Sequence, residues 1–317
     1  MTTRKDLQVV FGTGAIGGAL IEELHTNRKR VRAVNREGAA DVPNGVEVAG
    51  GDASNVDFTK EVSADAGVVY FCLHPPYTKW PELFPRLQNA VLSGAAAAGA
   101  KFVAIENLYM YGPTGGEPLS EDLPHAATTR KGLVRAQMAN DLMAAHKEGR
   151  VRVAVGRASD YFGPHGLISA MGERVFSSAL RGKKAQVIGD PDQPHTYSYL
   201  PDIAKGLAIL GHRTEADGQV WHLPNAPTLT TRQVIDQVYA SLGTEPGIQA
   251  MPGWMVNLVG LFNGNVRELK EMLYEFEEPF VVDHSRFEAA FGNHATPLSE
   301  AIDDTLAWYR ARLEKAP

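Results

Sequence analysis

The stretch Val9-Val10-Phe11-Gly12-Thr13-Gly14-Ala15-Ile16-Gly17 decides how the rest of this chain is read. Its glycines follow the pattern Gly-x-Gly-x-x-Gly. An apolar run, Leu7 to Phe11, comes before them, and Ile16, Leu20 and Leu24 recur after them at four-residue spacing. Strand, glycine turn, helix is the context in which that pattern has a physical role. Gly12 permits a tight turn, Gly14 lets a pyrophosphate approach the backbone, and Gly17 lets the helix pack closely on the strand. The helix start then offers free N–H groups and the positive end of its dipole to phosphates. Gly12, Thr13, Gly14, Ala15, Ile16 and Gly17 are therefore the expected cradle of a dinucleotide.

Apolar runs and helix-sized segments alternate through the first half. Strands are expected at Val31 to Val34, Val46 to Val48, Gly67 to Leu73, Lys101 to Ile105 and Val151 to Val155. Pro75-Pro76 ends the fourth strand, because proline cannot continue a ladder. Leu83, Leu87, Ala90 and Val91 share a helical face that fades in the small-residue run Gly94 to Gly99, and a helix is expected over Thr128 to His146. Strands separated by helices imply a parallel sheet with helices on both faces. After Gly163-Pro164 the pattern loosens, with closing helices expected near Val266 to Phe276 and Ser299 to Arg312. The fold class is α/β: a Rossmann-type doubly wound parallel sheet over residues 1–165 and a smaller C-terminal α/β substrate lobe over 166–317, some of whose segments return to the first domain.

The chain has 317 residues and a formal net charge of −6, which argues against nucleic acid or an anionic membrane as the main partner. Cys72 is the only cysteine, so an internal disulfide is excluded. Its place in a buried strand suggests inert packing. The histidines are scattered, and no metal is expected. Met1 to Asp6 is polar, and the apolar stretch Trp254 to Phe262 is far shorter than the ~20 residues of a membrane span. A cytoplasmic setting is expected. Trp254, Phe262, Tyr274 and Phe276 hint at an apolar pocket or at ordinary core packing.

The end of the second strand reads Val34-Asn35-Arg36, with no acid to accept hydrogen bonds from an adenosine ribose. Arg36, beside Asn35, can pair with a 2′-phosphate instead, so NADP(H) is expected in preference to NAD(H). Asp52, beside Ala53 after the third strand, is placed to meet the adenine amino group or to form an Asx-turn.

Taken together, the glycine loop, Gly51-Asp52, Tyr109-Met110-Tyr111-Gly112, Gly156-Arg157, Tyr161-Phe162-Gly163-Pro164, Tyr197 to Asp202 and the closing Leu298 to Tyr309 resemble the extended short-chain dehydrogenase/reductase family, the nucleotide-sugar epimerases and dehydratases and their atypical relatives. The resemblance covers nearly the whole chain. It adds Leu73 and His74 to the cofactor-binding set and implies a homodimer through the helices near 83–98 and 128–146.

The departures matter more than the matches. The family's usual Tyr-x-x-x-Lys is replaced by Lys131-Gly132-Leu133-Val134-Arg135. By position, Lys131 takes the tyrosine's slot and Arg135 the lysine's, where Arg135 can hold the ribose or a substrate anion. The usual serine or threonine is Asn107, and Leu108-Tyr109 replaces the Asp-Glu of dehydratases. Tyr109 and Lys131 are the candidate proton handlers, with Lys131 lowering the pKa of the phenol. A solvated helix face is the alternative for Lys131 and Arg135. Tyr161 and His195 are candidate substrate contacts. The expected function is an NADP(H)-dependent oxidoreductase acting on a small carbonyl or alcohol. The alternatives are an epimerase using transient cofactor oxidation and a non-catalytic NAD(P)-binding sensor.

Overall fold

The computed structural model describes residues 6–259, 268 and 270–315. The first half is β1 (Leu7–Phe11), α1 (Ala15–Thr26), β2 (Arg30–Asn35), β3 (Glu47–Gly50), α2 (Val56–Ser63), β4 (Ala66–Phe71), α3 (Trp80–Ala98), β5 (Lys101–Glu106), α4 (Arg130–Lys147) and β6 (Arg152–Arg157). Every residue of β1 is buried, as befits a central strand covered on both faces.

The second half contributes β7 (Tyr161–Phe162), α5 (Phe176–Leu180), β8 (Ala185–Ile188), β9 (Pro194–His195), β10 (Ser198–Tyr199), α6 (Leu200–His212), β11 (Gln219–His222), β12 (Leu229–Thr230), α7 (Thr231–Ser241) and β13 (Ile248–Met251). The long last helix, Leu298–Lys315, closes the chain.

The main sheet has seven parallel strands in the order β11-β6-β5-β4-β1-β2-β3. From β1 the chain runs outward through β2 and β3, then returns to place β4 on the other side of β1. That reversal opens a crevice at the carboxyl ends of β1 and β4, where ligands of open α/β sheets bind. Helices α1 and α6 cover one face with a cluster around Val10, Leu20, Ile203 and Leu207, while α2, α3 and α4 cover the other around Val9, Phe71, Val91 and Leu142. Two segments from beyond residue 165 thus serve the main sheet: α6 packs on α1, and β11 pairs with β6. A third cluster, including Phe162, Phe176, Val234, Ile302 and Tyr309, forms the core of the C-terminal lobe.

Several expectations need adjusting. Strand β4 stops at Phe71, so Cys72 and Leu73 lie in the turn beyond it rather than in the strand. Cys72 is partly buried, and burial pushes its thiol up to about 12, which suits packing. The small face of α3 is used within the chain, since a Cβ at Gly94 would lie 2.5 Å from the Thr59 carbonyl oxygen of α2. Of the helix expected over Val266 to Phe276, residues 266, 267 and 269 lie outside the described residues. The described part is a 3-10 turn, Lys270–Met272, and a short helix, Tyr274–Glu277. The segment turns there because Glu268 and Glu271 reach α4 while Glu275 reaches His195. Met1 to Lys5 and Phe262 also lie outside the described residues. Trp254 is 66% exposed, whereas Phe276 stacks on His195. Among the described residues no helix is long and apolar enough to cross a membrane.

Candidate functional site

The glycine loop closes around backbone. Gly12 has φ +106°, and a Cβ there would lie 2.6 Å from the Cys72 carbonyl oxygen. A Cβ at Gly17 would strike the Gly12 carbonyl oxygen. Gly14 differs, because a Cβ there meets nothing within 4 Å. Gly14 is also the N-cap of α1, and it brings no side-chain cap to the helix's free N–H groups. The first turn carries no acid. An open, uncapped and acid-free helix start beside the β1–β4 crevice fits a pyrophosphate. Ala15 and Ile16 anchor this turn on the α1–α6 core, and Ala53 and Leu73 pack on the opposite one.

Beside the loop, Asn35 holds the end of β2. Its amide donates to the Thr13 hydroxyl (3.0 Å) and the Ala39 carbonyl (2.8 Å), and its carbonyl accepts the Glu37 and Gly38 N–H groups. Asn35 is thus a scaffold that ties this loop to Thr13. Arg36 is exposed and makes no hydrogen bond or ion pair to another described residue. Asp52 forms the Asx-turn, with Oδ1 accepting the Ser54 N–H at 2.9 Å, and this bond holds its carboxyl below the usual range.

The start of α4 is where sequence reasoning placed the chemistry. Thr129 caps the helix by accepting the Gly132 N–H. Gly132 lets α4 abut the 3-10 turn Tyr109–Tyr111, because a Cβ there would sit 2.7 Å from the Tyr109 carbonyl oxygen. Lys131 and Arg135 are not a solvated face; they are 1% and 2% exposed. Lys131 Nζ donates to Glu268 Oε2 at 2.5 Å and to the Glu268 carbonyl at 3.0 Å, and lies 3.7 Å from Glu271 Oε2. Arg130 adds a two-pronged contact to the same Glu268 carboxylate. Lys131 therefore fastens Glu268 and Glu271 onto the start of α4.

Arg135 turns toward the sheet. Its Nη2 lies 3.4 Å from Glu106 Oε1, whose other oxygen accepts from Arg157 Nε at 3.0 Å. Glu106 and Arg157 are register partners on β5 and β6. Arg157 also donates to the Tyr111 hydroxyl at 2.6 Å, and that hydroxyl faces His222 Nε2 at 2.8 Å. This buried network engages the guanidinium expected to hold a ribose or an anion.

Tyr109, buried in the turn after β5, has its hydroxyl 2.8 Å from that of Tyr77. Trp80 stacks on it at 5.9 Å. Burial, and then the neighbouring Tyr77, Glu275 and Asp160, push the Tyr109 phenol well above its ordinary value. The expected lowering by Lys131 is therefore not found. Lys131 instead lies over the Tyr77 ring at 5.3 Å. Asn107 accepts the Tyr109 N–H at 3.4 Å and so shapes the turn. His74, exposed, packs against the Tyr77 and Trp80 rings.

His195 is 2% exposed and lies among Tyr197, Phe276 and Phe280. Its Nε2 meets Asp160 Oδ2 at 3.1 Å, and Nδ1 meets the Glu275 carbonyl at 3.0 Å. Tyr161, next to Asp160, packs on the α1–α6 cluster, and its phenol is raised by burial and then by Asp160. Tyr77, Asp160, Glu268 and Glu275 were not singled out in the sequence. Only Asp160, immediately before Tyr161-Phe162-Gly163-Pro164, had a local signal.

The sequence profile of the NAD dependent epimerase/dehydratase family matches residues 9–223. Over 142 residues the chain is 25% identical to a trifunctional UDP-glucose 4,6-dehydratase/UDP-4-keto-6-deoxy-D-glucose 3,5-epimerase/UDP-4-keto-L-rhamnose-reductase of Arabidopsis thaliana; the match covers 43% of this chain and 20% of that protein. The chain thus aligns with about a fifth of that relative's length. Two solved structures share the fold across nearly the whole chain. The UDP-glucuronic acid 4-epimerase of Bacillus cereus, in complex with UDP-glucuronic acid and NAD, superposes with TM-score 0.78 at 18% identity, covering 96% of this chain and 99% of that one. The dTDP-glucose 4,6-dehydratase of Bacillus anthracis str. Ames, in complex with NAD, gives TM-score 0.77 at 15% identity, with 97% of each chain covered.

Proposed function

This chain belongs to the NAD dependent epimerase/dehydratase family, and from that premise we propose that it is an NADP(H)-dependent oxidoreductase acting on a small, uncharged carbonyl or alcohol. The observation that carries the reading is the pairing of an open, uncapped glycine-loop helix start with the Tyr77–Tyr109 hydroxyl pair, both at the carboxyl edge of one sheet. When bound, a nicotinamide dinucleotide supplies or takes up a hydride. The chain's own part is to hold the reactants and handle the proton.

The start of α1 receives the pyrophosphate. Arg36, exposed and unpaired among the described residues, takes the 2′-phosphate of NADP(H) through charge-assisted hydrogen bonds. Tyr109 stays a neutral phenol, and in that form it donates a hydrogen bond to a substrate oxygen. A nucleotide diphosphate is disfavoured as substrate. Arg130, Lys131, Arg135 and Arg157 of α4 and β6 each already face a carboxylate, Glu268, Glu271 or Glu106.

The test has two steps. Calorimetric titration with NADPH and NADH should give tighter NADPH binding, and equal curves would remove the preference. A panel of aldehydes and ketones, followed by nicotinamide absorbance, should show net NADPH oxidation. Interconversion of substrates without net cofactor change would mark an epimerase. Cofactor binding with no turnover at all would mark a sensor.

A further inference from the structure

We propose that Asp160, backed by His195, is the acid–base residue of this cleft and exchanges a proton with the oxygen of the carbonyl or alcohol held at the Tyr77–Tyr109 hydroxyl pair. The assignment rests on the oxidoreductase reading above. It answers a question that reading leaves open: where the proton comes from. Lys131 is committed to Glu268. Arg135 cannot be deprotonated in a protein. Tyr109 is held in its neutral form and cannot serve as a base at neutral pH.

The hydrogen bonds of His195 define its state. A backbone carbonyl can only accept, so the contact of Nδ1 with the Glu275 carbonyl requires a proton on Nδ1. Nε2 then faces Asp160 Oδ2 at 3.1 Å. Either Nε2 carries a second proton and donates to a carboxylate, or Asp160 is protonated and donates to Nε2. In both cases one proton is shared between imidazole and carboxyl, and it can sit on either partner. The aromatic rings of Tyr197, Phe276 and Phe280 hold the imidazole in place.

Exposure gives the pair a direction. The His195 side chain is 2% exposed and that of Asp160 is 25% exposed. Asp160 is therefore the member that can touch a substrate, and His195 is a positioning residue behind it. Asp160 follows β6 at the carboxyl edge of the sheet, the same edge that carries the glycine loop. Its charge opposes ionisation of Tyr77, Tyr109, Tyr161, Tyr197 and Glu275, so all five lie within reach of its field. All five are acids that burial holds neutral, and His195 is the cation-forming group in contact with Asp160. Glu275 Oε1 is buried and without a hydrogen-bond partner among the described residues, as suits a carboxyl that burial holds neutral.

In the reductive direction a bound reduced dinucleotide would supply the hydride and its two electrons to the carbonyl carbon and would itself be oxidised. The carbonyl oxygen takes the proton shared by Asp160 and His195. The product is an alcohol, and the pair regains its proton from solvent through the partly exposed carboxyl. Oxidation of an alcohol is the same sequence reversed.

The experiment uses the full chain, with NADPH as cofactor and benzaldehyde, cyclohexanone and dihydroxyacetone as probes. Asp160→Asn should cut NADPH oxidation by about a hundredfold, with NADPH affinity and melting temperature unchanged. The titrating limb of the pH–rate profile should vanish with it. His195→Gln should cause a smaller loss and displace that limb, and Asp160→Glu should restore part of the rate. A second readout needs no turnover. In long-range proton–nitrogen NMR of the cofactor-free protein, the His195 Nε2 resonance, identified by its loss in His195→Gln, should move in Asp160→Asn. Full activity in Asp160→Asn would overturn the proton role and leave the oxidoreductase reading standing. An Nε2 resonance that does not move would overturn the pairing even if activity fell. A native protein that oxidises NADPH with none of the probes would remove the oxidoreductase reading, and the proton role with it.

Discussion

The glycine loop and the start of α4 are two helix beginnings at the same sheet edge, and they differ in what makes them legible. In the loop the functional parts are backbone: a positive φ at Gly12, a contact at Gly17 that admits no Cβ, and an open helix start at Gly14. Glycine spacing reports such a site directly, because at Gly12 and Gly17 only glycine fits. At α4 the functional parts are side chains, and their roles depend on partners far away in the chain. Lys131 and Arg135 occupy the positions where the resemblance places catalysis, but Glu268 and Glu106 draw them into structural ion pairs. Position on a helix says where a side chain starts, and the partner decides what it does.

The largest effect expected at the loop separates binding from folding. Gly14→Val puts a branched side chain into space that the fold leaves open, so dinucleotide binding should disappear while the melting temperature stays near native. Gly17→Ala instead drives a Cβ into the Gly12 carbonyl and should lower stability as well as binding. Calorimetric titration and thermal melts of both variants measure the contrast. Intact nucleotide affinity in Gly14→Val would mean that the loop is not the cradle.

Next in size is Tyr109→Phe. If the phenol donates a hydrogen bond to the substrate oxygen, removing it should lower turnover by about a hundredfold, the lower end of what one such donor contributes. The Tyr77 hydroxyl loses its 2.8 Å partner, so Tyr77→Phe should show a smaller loss of the same kind. Cofactor affinity should not change in either variant. Steady-state kinetics with a substrate found in the carbonyl panel would decide it. An unchanged kcat in Tyr109→Phe would exclude the phenol from the reaction.

These sites show how far sequence pattern reaches. The alternation of apolar runs and helices located the first six strands to within a residue or two, because burial on both faces makes a parallel strand uniformly apolar. Of the cleft, Tyr109, Tyr161 and His195 were legible from their places beside the turns after β5 and β6 and from the loop before α6. Tyr77 was not, since its significance is a hydroxyl contact with Tyr109 across 32 positions. Asp160 carried a faint signal, but its partner stands 35 positions on. Glu275 sits in an acidic run, Glu275-Phe276-Glu277-Glu278, which reads as solvated surface, yet only the fold shows that the first of these acids is buried.

Cofactor choice gives a smaller and sharper comparison. Asn35 and Arg36 are adjacent, but Asn35 organises backbone and Arg36 contacts no described partner. Arg36→Ala should weaken NADPH binding by roughly 1.5 kcal/mol, the low end for a hydrogen bond to a charged group, because this guanidinium is exposed. NADH binding should not change. Asn35→Ala should weaken both cofactors alike by loosening the Thr13 contact. Parallel losses of NADPH and NADH in Arg36→Ala would show that the arginine reads no phosphate.

The smallest effect expected concerns Lys131, and it sets an anchoring lysine against a catalytic one. An anchoring Lys131 acts through Glu268. Burial works to raise the Glu268 carboxyl, but hydrogen bonds from Lys131 and Arg130 hold it below its ordinary 4.5. A depressed carboxylate contributes stability that is fully present above its unfolded pKa and is lost as pH falls through the folded value. Lys131→Met should therefore destabilise the protein by about 1 kcal/mol at neutral pH, a modest loss because Arg130 keeps its contacts at 2.9 and 2.8 Å. The difference from the native protein should hold down to about pH 5 and shrink as pH falls below the ordinary 4.5 of a glutamate, where Glu268 takes up a proton. Melting curves across that range measure it. A catalytic Lys131 would behave in the opposite way, abolishing turnover in the methionine variant while leaving this acid-side difference absent. The two outcomes can be separated in one set of samples, because activity is read at neutral pH and the ion pair is read below it.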